Sequence, residues 1–256
     1  MARKSDGWAD ILQKVKRAAD PETRPIDLFL ETLEKAVLWT EAQEGWRSKH
    51  VHPSNLWRGV RWWYLYLTDT PRRQEDDPQS LRRMHNGIKA HERLDEYLGR
   101  VERVTDGRVR VDAIEHYFKV ESLNFSGRID AIITVMNQQY ALEFKTAAAN
   151  AFRAAQKNGP SSDYLWQAGG YTFATGLPVL FLYECKDNQE WFGCFPKAEA
   201  YALQVGPKLR AIQEAVTSRT VPPLCDVGCN TCVFQATCAA LPVQGGADPR
   251  KTAETG

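Results

Sequence analysis

The chain has 256 residues, 43% hydrophobic, 11% aromatic and 25% charged, with 33 Lys and Arg against 32 Asp and Glu. That is enough apolar material for one domain with a sizeable core and an appendage, or for two small domains. A net charge of +1 excludes a protein that coats nucleic acid through overall basicity, so an anionic partner must be met by a local patch or a bound cation.

In chain order, the opening "MARKSDGWADILQKVKRAAD" lacks the apolar run of a secretory signal. No stretch reaches the ~18 apolar residues of a membrane span. The expectation is a soluble, cytoplasmic protein. Leu28, Leu33, Val37 and Leu38 recur at helical spacing after Pro21 and Pro25, which predicts a helical extension over residues 1–50. Pro53 and Ser54 mark a further helix start. Behind it Trp57, Arg58, Arg61, Trp62, Trp63 and Tyr64 interleave bases with aromatics. Such a run either packs a helix against a core or stacks unpaired nucleobases; on the second reading Arg58, Arg61 and Trp62 are DNA contacts.

The polar "RRQEDDPQS" (72–80) reads as a loop, and Ser80 is placed to cap a helix from Leu81 to about Leu98. That helix carries His91 one turn beyond Gly87. Val109, Val111, Ile114 and Phe118 are strand signals, and the hairpin "GRIDAIITVMNQQYALEFKT" (127–146) follows. "SSDYLWQAGGYTFATG" reads as a helix ending at Gly176. Two strands come next about the turn "KDNQ", whose Lys186 could meet a phosphate. The last long helix, over "KAEAYALQVGPKLRAIQEAVTS", contains Gly206 and Pro207, where a disturbance is expected. The order predicts an α/β core over 51–222, a mixed sheet flanked by helices, followed by a cysteine segment at 223–240 and a flexible tail over 241–256.

The hairpin carries charge where a core-facing strand should carry none. With Asn137 and Gln138 at the turn, Asp130 falls opposite Lys145, and Glu143 shares the face of Lys145 because alternate strand residues point the same way. Two carboxylates that close repel, and a divalent cation such as Mg²⁺ or Mn²⁺ can compensate them. Such a cation polarises a phosphoryl oxygen and acidifies a bound water, while a lysine beside it orients that water. Taken alone, the three residues fit an edge salt bridge better. Gln167 and Tyr171, at i and i+4 on one helix face, could be edge packing or could bond a carboxylate or a DNA backbone. His91 could be a core histidine or an imidazole ligand, which would favour a Mn²⁺-tolerant site.

Together, G87-x-x-x-H91, G127-R-I-D130, E143-F-K145-T146 and Q167-x-x-x-Y171 resemble the ordered motifs of the RecB-type branch of the PD-(D/E)XK nucleases, from about Ser54 to Cys238. That branch includes the RecB and AddB nuclease domains, CRISPR adaptation nucleases and phage exonucleases. The resemblance implies a restriction-endonuclease-like core with His91, Asp130, Glu143 and the Phe144 carbonyl as metal ligands and Lys145 as the catalytic lysine. Gln167 and Tyr171 are then the accessory motif. The proline of the family name is replaced here by Ile129, as is common in this branch.

"CDVGCNTCVFQATC" brings Cys225, Cys229, Cys232 and Cys238 together, which suits a zinc site or an iron–sulfur cluster. The resemblance favours a 4Fe-4S cluster, since C-x₂-C-x₅-C is matched by Cys229, Cys232 and Cys238. The fourth family ligand lies far upstream and aligns with Gly59 here, so it is missing. Cys225 is the substitute, and structural Zn²⁺ is the alternative metal. Cys185 and Cys194 read as core residues.

Two functions follow from the resemblance. The first is a metal-dependent DNA nuclease, an exonuclease on ends or single strands in recombination, repair or CRISPR adaptation, with a protein partner from such a system. The second is a catalytically silent DNA-binding or scaffold protein with the same fold. An intact His-Asp-Glu-Lys set favours the first.

Overall fold

The structure is a computed structural model, and it describes residues 29–30, 33–35, 37, 48–73, 77–105, 108–225, 229 and 232–241. The expected N-terminal extension lies largely outside these residues, and the expected tail almost entirely. The chain forms two units, residues 1–47 with 75–86, and residues 48–74 with 87–256. Residues 75–86 group with the N-terminal ones.

In the first unit, a helix begins at Pro78 and not at Leu81. Asp77, not Ser80, is its cap: its carboxylate accepts the Gln79 and Ser80 amides at 3.0 and 3.1 Å. Arg82 lies 3.9 Å from Glu34.

The second unit is built on a five-stranded sheet in the order β1 (Val109–Val120), β2 (Phe125–Val135), β3 (Gln138–Ala147), β4 (Val179–Cys185) and β5 (Trp191–Cys194). Pairing is antiparallel except between β3 and β4, which are parallel. A parallel neighbour needs a crossover. Here α4 (Ala149–Asn158) and α5 (Ser162–Thr175) supply it. The alanine-rich "ANAFRAAQKN" of α4 is a strong helix former that the sequence reading passed over.

On one face, Ala131, Ile133, Leu142 and Phe144 pack against Ala90, Leu94 and Leu98 of α2 (Pro78–Leu98), whose later part belongs to this unit. A short α3 (Val101–Thr105) leads from α2 to the sheet. The other face buries Phe125, Ile129, Phe181 and Tyr183 beneath α1 (Val60–Leu67), α5 and α6 (Glu199–Ser218). A Cβ at Gly169 of α5 would lie 2.7 Å from Tyr201 Cβ and 2.9 Å from Ala202 N of α6, so glycine sets how closely those helices approach.

The expected disturbance at Pro207 does not break α6. Val205, Leu209 and Ile212 are buried on either side of it, and that packing outweighs the ~3 kcal/mol a mid-helix proline costs. A final α7 (Gln235–Ala240) follows the cysteines. The result is the mixed, helix-flanked sheet expected of a restriction-endonuclease-like core. Among the described residues no helix is long and apolar enough to cross a membrane.

Candidate active site

The β2–β3 turn sits at Met136–Asn137, one residue before the expected position. Both residues have positive φ, 49° and 66°, as a two-residue hairpin turn of the favoured twist requires. The register, from Val135↔Gln138 to Ala131↔Leu142, places Asp130 level with Glu143 instead of Lys145. Moving the turn by one residue moves each partner by two, so the facing survives the correction.

Asp130 occupies a gap in the ladder. Pairing to β3 stops at Ala131↔Leu142, and on the β1 side it skips from Ile114↔Ala131 to His116↔Ile129. The skipped Glu115 has φ of 53°. With no strand carbonyl opposite, the Phe144 amide donates to Asp130 Oδ2 at 2.6 Å. A strand residue's N–H and C=O point to the same side, so the Phe144 carbonyl faces the same gap.

From α2, His91 Nδ1 lies 3.2 Å from Asp130 Oδ1, its ring edge-on to Phe144 with centroids 5.1 Å apart. Burial alone would lower the imidazole pKa. The hydrogen bond to Asp130 and the charges of Asp130 and Glu143 outweigh it, and the ring titrates above its ordinary value.

Glu143 is buried, only 3% exposed. Gln167 Nε2 donates to its Oε1 at 2.7 Å, and the Tyr171 hydroxyl donates to Oε2 at 2.8 Å. Lys145 Nζ lies 2.5 Å from Oε1 and donates to Gln167 Oε1 at 3.0 Å. The second Gln167 amide hydrogen reaches the Tyr171 oxygen at 2.8 Å. Burial and the Asp130 charge push the Glu143 carboxyl up against the pull of Lys145. Burial would lower the Lys145 ammonium, but Glu143 reverses this and holds it charged. Burial, then Glu143, raises the Tyr171 phenol well above its usual range, so it remains a donor.

The donor set of two carboxylates, an imidazole and a backbone carbonyl suits a divalent cation. In the present arrangement those oxygens are taken by Lys145, Gln167, Tyr171, His91 and the Phe144 amide. Among the described residues no three His, Cys, Asp or Glu side chains close into a metal cage. Cation binding therefore requires exchange of some of these bonds, most directly that of Lys145 to Glu143. The sequence reading missed Asp95, one turn beyond His91, whose carboxyl is raised by burial and then by Asp130. The H91-x-x-x-D95 spacing was the available signal.

The expected nucleic-acid contacts divide. Arg61 and Trp62 are buried, and this corrects their assignment to DNA. Arg61 donates to Pro222 O at 2.8 Å, Cys238 Sγ at 3.1 Å and Cys238 O at 3.2 Å, while Trp62 stacks on Tyr66 at 5.1 Å. Arg58 is half-buried over Trp57, and Lys186 is exposed at the end of β4.

None of the six cysteines forms a disulfide. Cys185 is buried and Cys194 half-buried, as expected of core residues. In the C-terminal segment the Phe234 amide donates to Cys232 Sγ at 3.4 Å, and the Cys229 thiol faces Cys225 O at 3.7 Å. N–H donors at Cys232 and Cys238 suit thiolates bound to a metal. A Cβ at Gly59 would lie 2.5 Å from Cys225 Sγ, so Cys225 fills the space that a side chain at position 59 would take.

No protein-family model and no curated protein sequence matches the chain. Similar solved structures include SSO0001, at 16% identity over 84% of this chain and 98% of that one, with a TM-score of 0.46. An alkaline exonuclease, LHK-Exo, from Laribacter hongkongensis matches at 12% identity over 68% and 90%, with a TM-score of 0.45. LHK-Exo in complex with dAMP gives 13% over 67% and 89%, with a TM-score of 0.44.

Proposed function

We propose that the protein is a Mg²⁺- or Mn²⁺-dependent DNA nuclease of the RecB-like PD-(D/E)XK type. The observation that carries this reading is the convergence of Asp130, Glu143 and Lys145, with Gln167 and Tyr171 bonded to the two oxygens of Glu143. His91, Asp130, Glu143 and the Phe144 carbonyl would hold the cation, which when bound offsets the paired carboxylates, polarises a phosphoryl oxygen and acidifies a water. Gln167 and Tyr171 fix the orientation of Glu143, and the dry surroundings strengthen each of these contacts. Lys145, kept charged by Glu143, is placed to orient the attacking water or to offset charge growing on the phosphate. His91 bonds and orients Asp130.

The motif resemblance supports exonuclease action on ends or single strands, in recombination, repair or CRISPR adaptation, in the cytoplasm and with a protein partner from such a system. For the cysteines we propose a 4Fe-4S cluster, with structural zinc as the alternative. Iron, sulfide and zinc analysis of anaerobically purified protein separates the two.

One observation favours a catalytically silent DNA-binding protein: both Glu143 oxygens are already occupied by Lys145, Gln167 and Tyr171. The deciding experiment is digestion of end-labelled single- and double-stranded DNA with Mn²⁺, Mg²⁺ or EDTA, by wild type and Lys145→Ala. Metal-dependent cleavage lost in the variant is expected. Equal cleavage by both, or none by wild type, overturns the assignment.

A further inference from the structure

Beside Lys145, between α4 and the start of α5, lies a cleft of about 590 Å³, within the usual range of ligand pockets. The reaction chemistry above makes no use of it. Ala151, Ala154 and Ala155 of α4 form one wall, with no long or charged side chain to fill the space. Tyr164 and Tyr183 form another, their ring centroids 6.5 Å apart, and Lys145 Nζ lies 4.7 Å from the Tyr164 centroid. Tyr183 is 2% exposed, and its hydroxyl is buried without a hydrogen-bond partner. A buried polar group left unpaired is costly and calls for a missing partner.

We propose that this cleft is a nucleobase subsite, receiving the base of a nucleotide next to the scissile phosphate. The required ligand has a flat apolar face, for the alanines and the Tyr164 ring, and a polar edge that the enclosed Tyr183 hydroxyl meets after a small shift of the lining. A nucleobase has both, and aromatic stacking on bases is tolerant of sequence. A bare phosphate would meet mostly apolar wall, and the one cation there, Lys145, already pairs with Glu143. A base can enter only by leaving its own stack, so the subsite selects an unpaired nucleotide beside the site of cleavage. The inference takes its substrate from the nuclease reading, but its test does not depend on cleavage.

The test is binding in EDTA of a labelled oligothymidylate carrying a single 2-aminopurine, moved in turn through the three terminal positions at each end. Wild type is expected to quench 2-aminopurine at one position and to prefer the single strand to a blunt duplex. Ala154→Trp, at an exposed position of α4 on the cleft wall, should abolish that quenching and weaken binding roughly 10-fold. Tyr183→Phe, which removes only the orphan hydroxyl, should weaken it a few-fold. Quenching and affinity unchanged in both variants, or a duplex bound as tightly as the single strand, overturns the subsite. If wild type cleaves no DNA yet binds in a manner dependent on residue 154, the nuclease reading falls and the subsite stands. Cleavage with binding indifferent to residue 154 has the reverse meaning.

Discussion

The hairpin site and the cysteine segment each gather groups that are unstable when crowded, and they hold them by opposite means. Around Glu143 each neighbour comes from a regular element: Lys145 from the same strand, Gln167 and Tyr171 from successive turns of α5. Among the described residues of the cysteine segment, Cys225 and Cys232 lie outside regular elements, and Cys238 falls within α7. The contacts that tie them to the rest of the chain come from elsewhere: the Arg61 guanidinium, and Gly59, whose missing side chain makes room for Cys225. The scaffold around Glu143 is over-determined, and the carboxylate pays for its position in raised pKa. The cysteine segment is under-determined without its neighbours. Substitutions at the first should therefore change chemistry more than folding, and at the second folding more than chemistry.

The largest effect is expected for Glu143→Gln. The amide keeps the shape and the Tyr171 contact but loses the charge, and cleavage should fall by on the order of 10²–10³-fold or more. Stability should change far less than cleavage. Burial and Asp130 raise the Glu143 pKa, so a neutral isostere relieves the cost of that buried charge, while Lys145 loses its ion-pair partner, and the two effects oppose. Cleavage assays and thermal melts of the same preparations check both halves. A variant that melts several degrees lower yet still cleaves would erase the distinction between the two regions.

How far the sequence disclosed all this follows the same division. The strands bearing Asp130, Glu143 and Lys145 are readable because a period of two survives a misplaced turn. The turn at Met136–Asn137 changed the partner of Asp130 but not its face. Gln167 and Tyr171 were readable as an i, i+4 pair. The mutual bonding of these groups was not: Asp130 takes the Phe144 amide at a break in the ladder, where the skipped Glu115 carries no turn signature, and Gln167 and Tyr171 reach Glu143 only in three dimensions. Arg61 and Trp62 stayed open between core and DNA for a related reason. A basic-aromatic run looks the same on a DNA surface and in a core, and only the carbonyls of Pro222 and Cys238 decide between them.

The next effect, intermediate in size, belongs to the cysteine segment. Gly59→Ala puts a methyl 2.5 Å from Cys225 Sγ and 3.0 Å from Cys225 Cβ. Gly59 has φ of −64°, so its backbone accepts alanine, and the whole penalty arises from that contact. The overpacking should cost about 1–3 kcal/mol. Adding Cys225→Ala removes the 2.5 Å contact but keeps the Cβ, so it should recover part of the loss, which chemical denaturation of the single and double variants measures. Metal content sharpens the comparison. If the segment holds iron or zinc as proposed, Gly59→Ala should lose it, and Gly59→Cys with Cys225→Ala should regain it, because the two thiols would draw on the same space. Wild-type metal loading in both Gly59→Ala and Cys225→Ala would remove Cys225 from the proposed ligand set.

The smallest effect tests a position outside both regions. His52 sits edge-on to Trp63, with centroids 5.1 Å apart, and its Nδ1 lies 2.9 Å from Ser54 Oγ. Burial depresses its pKa from 6.5 to about 4. The folded state therefore binds a proton here less readily than the unfolded chain does. The stabilising contribution is complete above pH 6.5 and is lost as the pH falls through about 4. Carboxylates also titrate towards the bottom of that window, so a wild-type melt alone is ambiguous. The informative quantity is the difference between wild type and His52→Asn. That difference should shrink steadily between pH 6.5 and 4, because asparagine has no proton to gain, while cleavage at pH 7.5 stays at the wild-type rate. A constant difference across the window would mean that His52 is no less basic in the fold than in the unfolded chain, and that its packing against Trp63 tolerates the charge.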